Sequence, residues 1–144
     1  MDSGIIDYFL DALCYSDKLD GRRFMAGAVT LYLEEPTLMD ESYDLFCEKL
    51  SYRLGETAMK TKFVLSRTSA SSWQNGKLYV LFERHMRYTD EQPIITAIAR
   101  NLESGLNRDD YREHFRRMLS DGYEERLYRK MTEKVNKPVS YTDI

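Results

Sequence analysis

Apolar residues recur every three or four positions through most of this chain, and proline or glycine breaks the pattern at short intervals. Between residues 3 and 16 these positions share one face of a helix with 3.6 residues per turn; they are Ile5, Ile6, Phe9, Ala12 and Leu13. A stripe of this kind is stable only when it packs against another element. The chain is therefore predicted to form a set of short helices around one core.

Two further helices are predicted before residue 57. One covers residues 22–35, with Asp20 as its N-cap and Pro36 as its end. Apolar residues within 28–33 also alternate as they would in a strand, so a strand is the alternative there. The other helix begins near Asp40 and ends at Gly55, the residue type most often found just past a helix.

A β-hairpin is predicted in the middle of the chain. Residues 59–67 and 77–86 carry apolar runs, and the polar stretch 68–76 between them ends in Asn-Gly, a pair that readily turns a chain. The second run is long for a strand, so a helix through residues 77–88 is the alternative. The serine-rich stretch before Trp73 would then be an exposed loop, with Trp73 either contacting a partner or anchoring the loop on the core.

The C-terminal half is predicted to be helical again. Residues 89–92 form a capping-box pattern for a fourth helix, which Gly105 would end. Asn107 is predicted to cap a fifth helix, and Gly122 to separate it from a sixth.

Length and composition are those of one globular domain. With 144 residues, 42% of them hydrophobic and 31% charged, the chain can bury a sizeable core and is too apolar to stay disordered. We therefore predict an α+β fold, mainly helical, with five or six short helices around one core and a small β-hairpin. Residues 1–137 would form a single globular domain, and residues 138–144 a short C-terminal tail.

The same composition bears on where the protein works. No apolar run approaches the roughly 18 residues that a membrane-spanning helix requires, so no membrane contact is expected. The first residues are acidic where a signal or transit peptide needs Lys or Arg, so the protein is expected to stay where it is made. Cys14 and Cys47 are too few for a disulfide scaffold. Buried free thiols in the cytoplasm, or in another reducing intracellular compartment, are the expectation.

The sequence carries no recognisable catalytic or metal-binding motif. It has no glycine-rich phosphate loop, no H-E-x-x-H pattern and no nucleophile elbow. His85 and His114 have no nucleophile or ligand at motif spacing, and each is expected to be a surface or half-buried structural residue. We expect a protein that is not an enzyme and holds no cofactor or metal. A small enzyme whose site is assembled from scattered residues is an alternative.

Charge is sorted along the chain. Residues 1–57 contain 12 Asp and Glu against 5 Lys and Arg, a net charge of −7. Residues 58–89 contain 6 Lys and Arg against 1 acid, a net charge of +5. Surface potentials of opposite sign indicate what kind of partner a protein binds, but they do not indicate a catalytic activity. The acidic residues expected to meet a protein partner are Asp7, Asp11, Asp17, Asp20, Glu34, Glu35, Asp40, Glu41, Asp44 and Glu48.

The resulting hypothesis is a regulator or inhibitor that docks this acidic surface on a basic partner. Proteins that hold nucleic acid commonly present basic surfaces. A specific form of the hypothesis is therefore an inhibitor of a nucleic-acid-handling protein, encoded by a virus or a mobile element.

The basic middle segment supports an alternative, a regulator that binds nucleic acid itself. Its cations alternate with aromatic residues, a mixture that grips phosphates and stacks on unpaired bases. The residues expected to make such contacts are Lys60, Lys62, Arg67, Trp73, Lys77, Arg84 and Arg87. A second basic group, Arg108, Arg112 and Arg116, has the spacing of one helix face and invites a counter-charge.

Overall fold

A computed structural model describes residues 3–13, 20–74 and 90–119. Within these three ranges the chain forms helices joined by short turns, and no strand is present. The helices are α1 (Ser3–Ala12), α2 (Gly21–Glu34), α3 (Leu38–Glu41), α4 (Tyr43–Leu54), α5 (Ala58–Gln74), α6 (Glu91–Leu106) and α7 (Tyr111–Leu119). The mainly helical part of the predicted fold is confirmed, and the predicted β-hairpin is wrong.

The N-terminal helices follow the predicted apolar pattern, and the strand alternative for residues 28–33 is excluded because they lie inside α2. The predicted cap of α2 behaves differently from the expectation. Asp20 occupies the N-cap position with a left-handed φ of 58°, and its side chain makes no capping hydrogen bond. The helix end is therefore set by the backbone conformation of Asp20, a residue type that tolerates positive φ better than most.

The helix predicted from Asp40 to Gly55 is divided in two. Ser42 has an extended backbone between α3 and α4, and its hydroxyl accepts a hydrogen bond from the Leu45 amide at 3.2 Å. This bond satisfies one of the amides that a helix start leaves without an internal partner. Gly55 ends α4 as predicted, with a left-handed φ of 69°.

Helix α5 replaces the first strand of the predicted hairpin and most of its loop. Its buried positions follow helical spacing, but several carry hydroxyls, which hid the pattern; they are Thr61, Val64, Leu65, Thr68, Ser69 and Ser72. The Thr68 hydroxyl donates to the Val64 carbonyl at 2.6 Å, and the Ser72 hydroxyl donates to the Leu13 carbonyl. These bonds allow polar side chains to be buried in a helix. The predicted second strand, residues 77–86, and its helical alternative lie outside the described residues.

Helix α6 begins near the predicted start but continues past Gly105, which lies buried inside the helix and does not end it. A Cβ at Gly105 would lie only 2.5 Å from Cζ of Phe115, so the glycine allows the Phe115 ring to approach the α6 backbone. Asn107 follows the end of α6 and does not cap α7, which begins at Tyr111. The predicted sixth helix and the C-terminal tail lie outside the described residues.

The described helices share one hydrophobic core. Helix α2 packs against α1, α4, α5 and α6, while α7 packs against α6 and α1. The largest fully buried side chains are Phe9, Phe24, Phe46, Phe115, Leu10, Leu13, Met25, Leu31, Leu50 and Leu65. Phe9 and Phe115 meet edge to face with ring centroids 5.5 Å apart. None of the described helices is long and apolar enough to cross a membrane.

Candidate protein-binding surface

The ten acidic residues expected to bind a partner divide into two groups. Asp17 lies outside the described residues. Four of the others form ion pairs with basic side chains: Asp11 with Arg22, Glu34 with Arg53, Glu35 with Lys49 and Asp44 with Lys62. Among the described residues, five have no such pair; they are Asp7, Asp20, Asp40, Glu41 and Glu48. The second group keeps its charge open to a partner, because all five side chains are exposed.

The ion pairs connect segments that are far apart in the sequence. Glu34 Oε2 lies 2.7 Å from Arg53 Nη1, which joins the end of α2 to α4. Asp44 pairs with Lys62, which joins α4 to α5. Exposed pairs of this kind contribute only about 0–1 kcal/mol each to stability. Their larger effect is on the local surface potential, because they decide which carboxylates of residues 1–57 face a cation. Only the pair of Asp44 with Lys62 brings a cation from outside that range.

The basic middle segment is partly neutralised by the same contacts. Lys60 Nζ lies 3.2 Å from Glu56 Oε2, and the hydrogen bond from Lys62 to Asp44 raises the pKa of the Lys62 amine. The Arg67 guanidinium lies over the Phe63 ring, 5.9 Å from its centroid. The side chain of Trp73 lies outside the described residues, as do Lys77, Arg84 and Arg87. The described cations of the segment therefore face acids and an aromatic ring and do not form one open positive surface.

Exposed apolar side chains are concentrated on α4 and α5, where no apolar contact surface was predicted. Tyr52 is 88% exposed and Met59 is 83% exposed, while Leu45 and Phe63 are each 52% exposed. Leu45, Glu48 and Tyr52 lie at i, i+3 and i+7 on α4, so they share one face of that helix. Met59 and Phe63 lie at i and i+4 on α5. We name these five residues the α4–α5 surface.

Acidic side chains accompany the α4–α5 surface. Glu48 lies within it, and Asp40 and Glu41 occupy α3, the short helix immediately before α4. Helices α4 and α5 pack against each other, and the pair of Asp44 with Lys62 bridges them. Large apolar side chains left in water on two helices that pack together are typical of an interface. The exposure of Leu45 and Tyr52 could have been predicted from the sequence, because on a helix both fall opposite the buried stripe of Phe46 and Leu50.

Tyr43, Cys47 and Glu91 form a partly buried titratable cluster that shows no activation. The Tyr43 hydroxyl donates to Glu91 Oε1 at 2.8 Å and also lies beside Cys47, a free and buried thiol as predicted. Burial raises the pKa of Cys47 to about 11, and burial together with Cys47 and Glu91 raises the pKa of Tyr43. A reactive cysteine needs a lowered pKa, so these groups act as structural residues. Cys14 lies outside the described residues.

The predicted arginine stripe is divided between a turn and a helix. Arg108 precedes α7 and forms a bidentate pair with Asp110, with Nε 2.8 Å from Oδ1. This hydrogen bond lowers the pKa of the Asp110 carboxyl. Arg116 Nη2 lies 2.7 Å from Glu113 Oε1. For Arg108 and Arg116, the counter-charges thus come from acids of the same segment.

Neither chemistry nor metal binding gains support from the described part of the chain. His114 is half-buried with its ring centroid 5.7 Å from that of Phe115, and His85 lies outside the described ranges. No group of three or more His, Cys, Asp or Glu side chains within residues 3–13, 20–74 and 90–119 is placed to hold a metal ion. No protein-family model, curated protein or solved structure matches the chain.

Proposed function

We propose that this protein is a binding protein that regulates or inhibits a basic protein partner without doing chemistry on it. The observation that carries the proposal is the α4–α5 surface, where four large apolar side chains are more than half exposed on adjacent helices. Acidic side chains of α3 and α4 accompany them, and within the described residues Asp40, Glu41 and Glu48 have no ion-pair partner.

Apolar anchors and acidic residues have different roles in such an interface. Tyr52 and Met59 supply affinity, because fully burying a side chain of this size stabilises a complex by about 1.5–3 kcal/mol. Aromatic residues near the centre of an interface commonly dominate its binding energy. Asp40, Glu41 and Glu48 supply speed and selectivity, because charge complementarity steers association and repels acidic competitors. The contact region is thus smaller than the ten acidic residues expected from charge along the chain.

The class of partner follows from this charge. A protein that handles nucleic acid presents a basic surface, and an acidic surface with apolar anchors can occupy that surface in place of the nucleic acid. We propose an inhibitor of this kind, encoded by a virus or a mobile element. The free, buried thiol of Cys47 supports action in a reducing compartment such as the cytoplasm.

The test compares two kinds of variant with a charge-matched control. Asp40→Lys with Glu41→Lys reverses the acidic side, and Leu45→Ala with Tyr52→Ala removes apolar anchors. Glu103→Lys with Asp109→Lys changes the same charge at exposed positions on and after α6. Wild-type and variant proteins, checked for folding by circular dichroism, are used for affinity capture with and without nuclease. Candidate partners are then purified and titrated one at a time.

The proposal predicts a basic protein whose purified complex is lost with both surface variants and kept with the control. Its association rate should fall as salt rises, because steering between opposite charges is screened. If folded surface variants bind every purified partner as tightly as the wild-type protein does, the α4–α5 surface is not the interface. Binding of labelled single-stranded oligonucleotide by the pure protein, lost on Lys60→Glu, would favour the nucleic-acid alternative.

A further inference from the structure

The exposed apolar side chains of α5 begin a row with the spacing that helices use to pack side by side. The row consists of Met59, Phe63, Ser66 and Ala70, which follow one another at steps of four, three and four residues. The first two side chains are exposed, and the two smaller ones are partly buried. Alternate steps of three and four are the repeat by which one helix packs along another in a coiled coil. The small residues leave space for a close approach of such a helix.

Helix α4 carries a second row of the same kind. Leu45, Glu48 and Tyr52 follow one another at steps of three and four residues, and all three side chains are exposed. The ion pair of Asp44 with Lys62 joins α4 to α5 beside these rows. Because two helices that pack side by side leave a groove between them, the two rows border one groove.

We propose that this groove receives one amphipathic α-helix of the partner protein, with apolar residues at alternate steps of three and four and with lysine or arginine beside them. The inference rests on the proposed function above, because it names the part of the partner that the α4–α5 surface binds. A helix laid in an apolar groove is a recurrent mode of recognition. At 1.5 Å per residue, the row from Met59 to Ala70 is about 17 Å long, so the bound helix needs about three turns.

The charge around the groove selects a basic helix. Glu48 lies within the row on α4, and Asp40 and Glu41 lie on α3, beyond the Leu45 end of that row. All three acidic side chains are exposed, and none of them forms an ion pair with another described residue. A lysine or arginine that flanks the apolar positions of a partner helix would meet these carboxylates, as flanking charges meet in coiled coils. An acidic helix would be repelled.

Two other occupants of the groove are disfavoured. A symmetric dimer of this chain would place the same surface of both copies in one interface, so the acidic residues of one copy would face those of the other. An extended peptide gains its main-chain hydrogen bonds by adding a strand to the edge of a sheet. Residues 3–13, 20–74 and 90–119 contain no strand and so offer no such edge.

The first test selects binding peptides without assuming their structure. The probe is a phage-displayed library of random peptides about 16 residues long, enough for three turns and their flanks, and the target is the immobilised full chain. Leu45→Ala with Tyr52→Ala removes two members of the row on α4. Tyr8→Ala, which changes an exposed aromatic residue of α1, is the matched control. Circular dichroism confirms that each protein is folded.

Peptides that bind the wild type and the control but not the double variant should carry apolar residues at steps of three and four and a net positive charge. They should also become helical on binding. Surface-dependent peptides whose apolar residues alternate, or whose net charge is negative, would overturn the inference, and so would a selection that yields no surface-dependent peptide. A wild-type dimer in sedimentation, lost with the double variant, would assign the groove to a second copy of the chain.

A charge exchange tests the basic flank of the bound helix. One selected peptide is synthesised with lysine and with glutamate at its flanking positions, and both forms are titrated by calorimetry. Glu48→Lys should weaken binding of the lysine form about fivefold and strengthen binding of the glutamate form. Glu103→Lys, at an exposed position of α6, should change neither. Equal effects of the two substitutions would contradict a basic flank beside Glu48.

Cross-linking to a purified partner separates this inference from the proposed function. Benzoylphenylalanine, a photo-crosslinking amino acid, replaces Tyr52 or Phe63, and Glu103 in the control. The cross-linked partner residues should lie three or four apart within one segment. Residues that lie two apart, or that are scattered over several segments, would refute the helix and leave the proposed function intact. Cross-links that form only from the Glu103 position would refute both.

Discussion

Replacing Gly105 with alanine should destabilise the protein, although the same change in most helix interiors is stabilising. Alanine is favoured over glycine inside a helix by about 1 kcal/mol. Here the new Cβ would lie 2.5 Å from Cζ of Phe115, well inside the ~3.5–4.0 Å at which carbon atoms attract. Overpacking of this kind costs about 1–3 kcal/mol. Towards the upper end of that range, the overlap outweighs the propensity and lowers the free energy of unfolding by about 1–2 kcal/mol.

A double-mutant cycle isolates this contact. Phe115→Leu removes the ring atoms Cε1 and Cζ, the two that the new Cβ would meet, and keeps an apolar side chain at the position. In that background Gly105→Ala should become neutral or stabilising by up to about 1 kcal/mol. The measurement is urea unfolding followed by far-ultraviolet circular dichroism, with linear extrapolation to water.

The control for the cycle is Gly27→Ala in α2. A Cβ at Gly27 would meet Cδ1 of Leu50 at 3.0 Å, and the flexible end of a leucine side chain can move aside. Its free energy of unfolding should stay within about 1 kcal/mol of the wild-type value. A Gly105→Ala variant that is more stable than the wild type, or an effect that is the same with Phe115 and with Leu at that position, would contradict the overlap with the ring.

Three further changes test other parts of the fold. Ser42→Ala removes the hydroxyl that caps α4 and should lower the free energy of unfolding by about 1 kcal/mol in urea titrations, whereas an unchanged midpoint would contradict the cap. Gly55→Ala places a side chain at a φ of 69° and should cost about 1–2 kcal/mol in the same assay; no loss would mean that the turn relaxes. Burial raises the pKa of the Cys47 thiol from 9.0 to about 11. Between these two pH values the thiol ionises in the unfolded chain but not in the folded protein. The stability that the buried thiol contributes below pH 9 is therefore lost as the pH rises towards 11. Between pH 8 and pH 10.5, the unfolding midpoint should therefore fall less for Cys47→Val than for the wild type. An equal fall for both proteins would contradict the raised pKa of Cys47.

Much of the helical fold could be predicted from the sequence, and the failures have physical causes. α4 was predictable because Phe46 and Leu50 repeat at helical spacing and Gly55 ends the helix. α5 was not, because threonine and serine occupy much of its buried face, and their burial depends on hydrogen bonds to the carbonyl groups of Val64 in α5 and of Leu13, the residue after α1. The spacing of apolar residues in a sequence does not predict such hydrogen bonds.

The candidate surface was predicted only in part, for a related reason. Net charge along the chain does not reveal which charges meet, and Asp44 is neutralised by Lys62, eighteen residues away. The exposed apolar residues were missed because a sequence shows hydrophobicity but not orientation. Tyr52 differs from core aromatics only in its angle on the helix, which is known once the boundaries of α4 are known.

The edge-to-face contact of Phe9 with Phe115 has a consequence for the order of folding during synthesis. The first helix packs against α7 as well as α2, so one side of its apolar stripe has no cover until residues near 115 have left the ribosome. Contacts between residues so far apart in the sequence form late, and the apolar surface that they will bury is prone to aggregation until then. α1 is therefore a natural target for a chaperone during translation, and chains arrested before α7 should be bound by one more strongly than chains that include it.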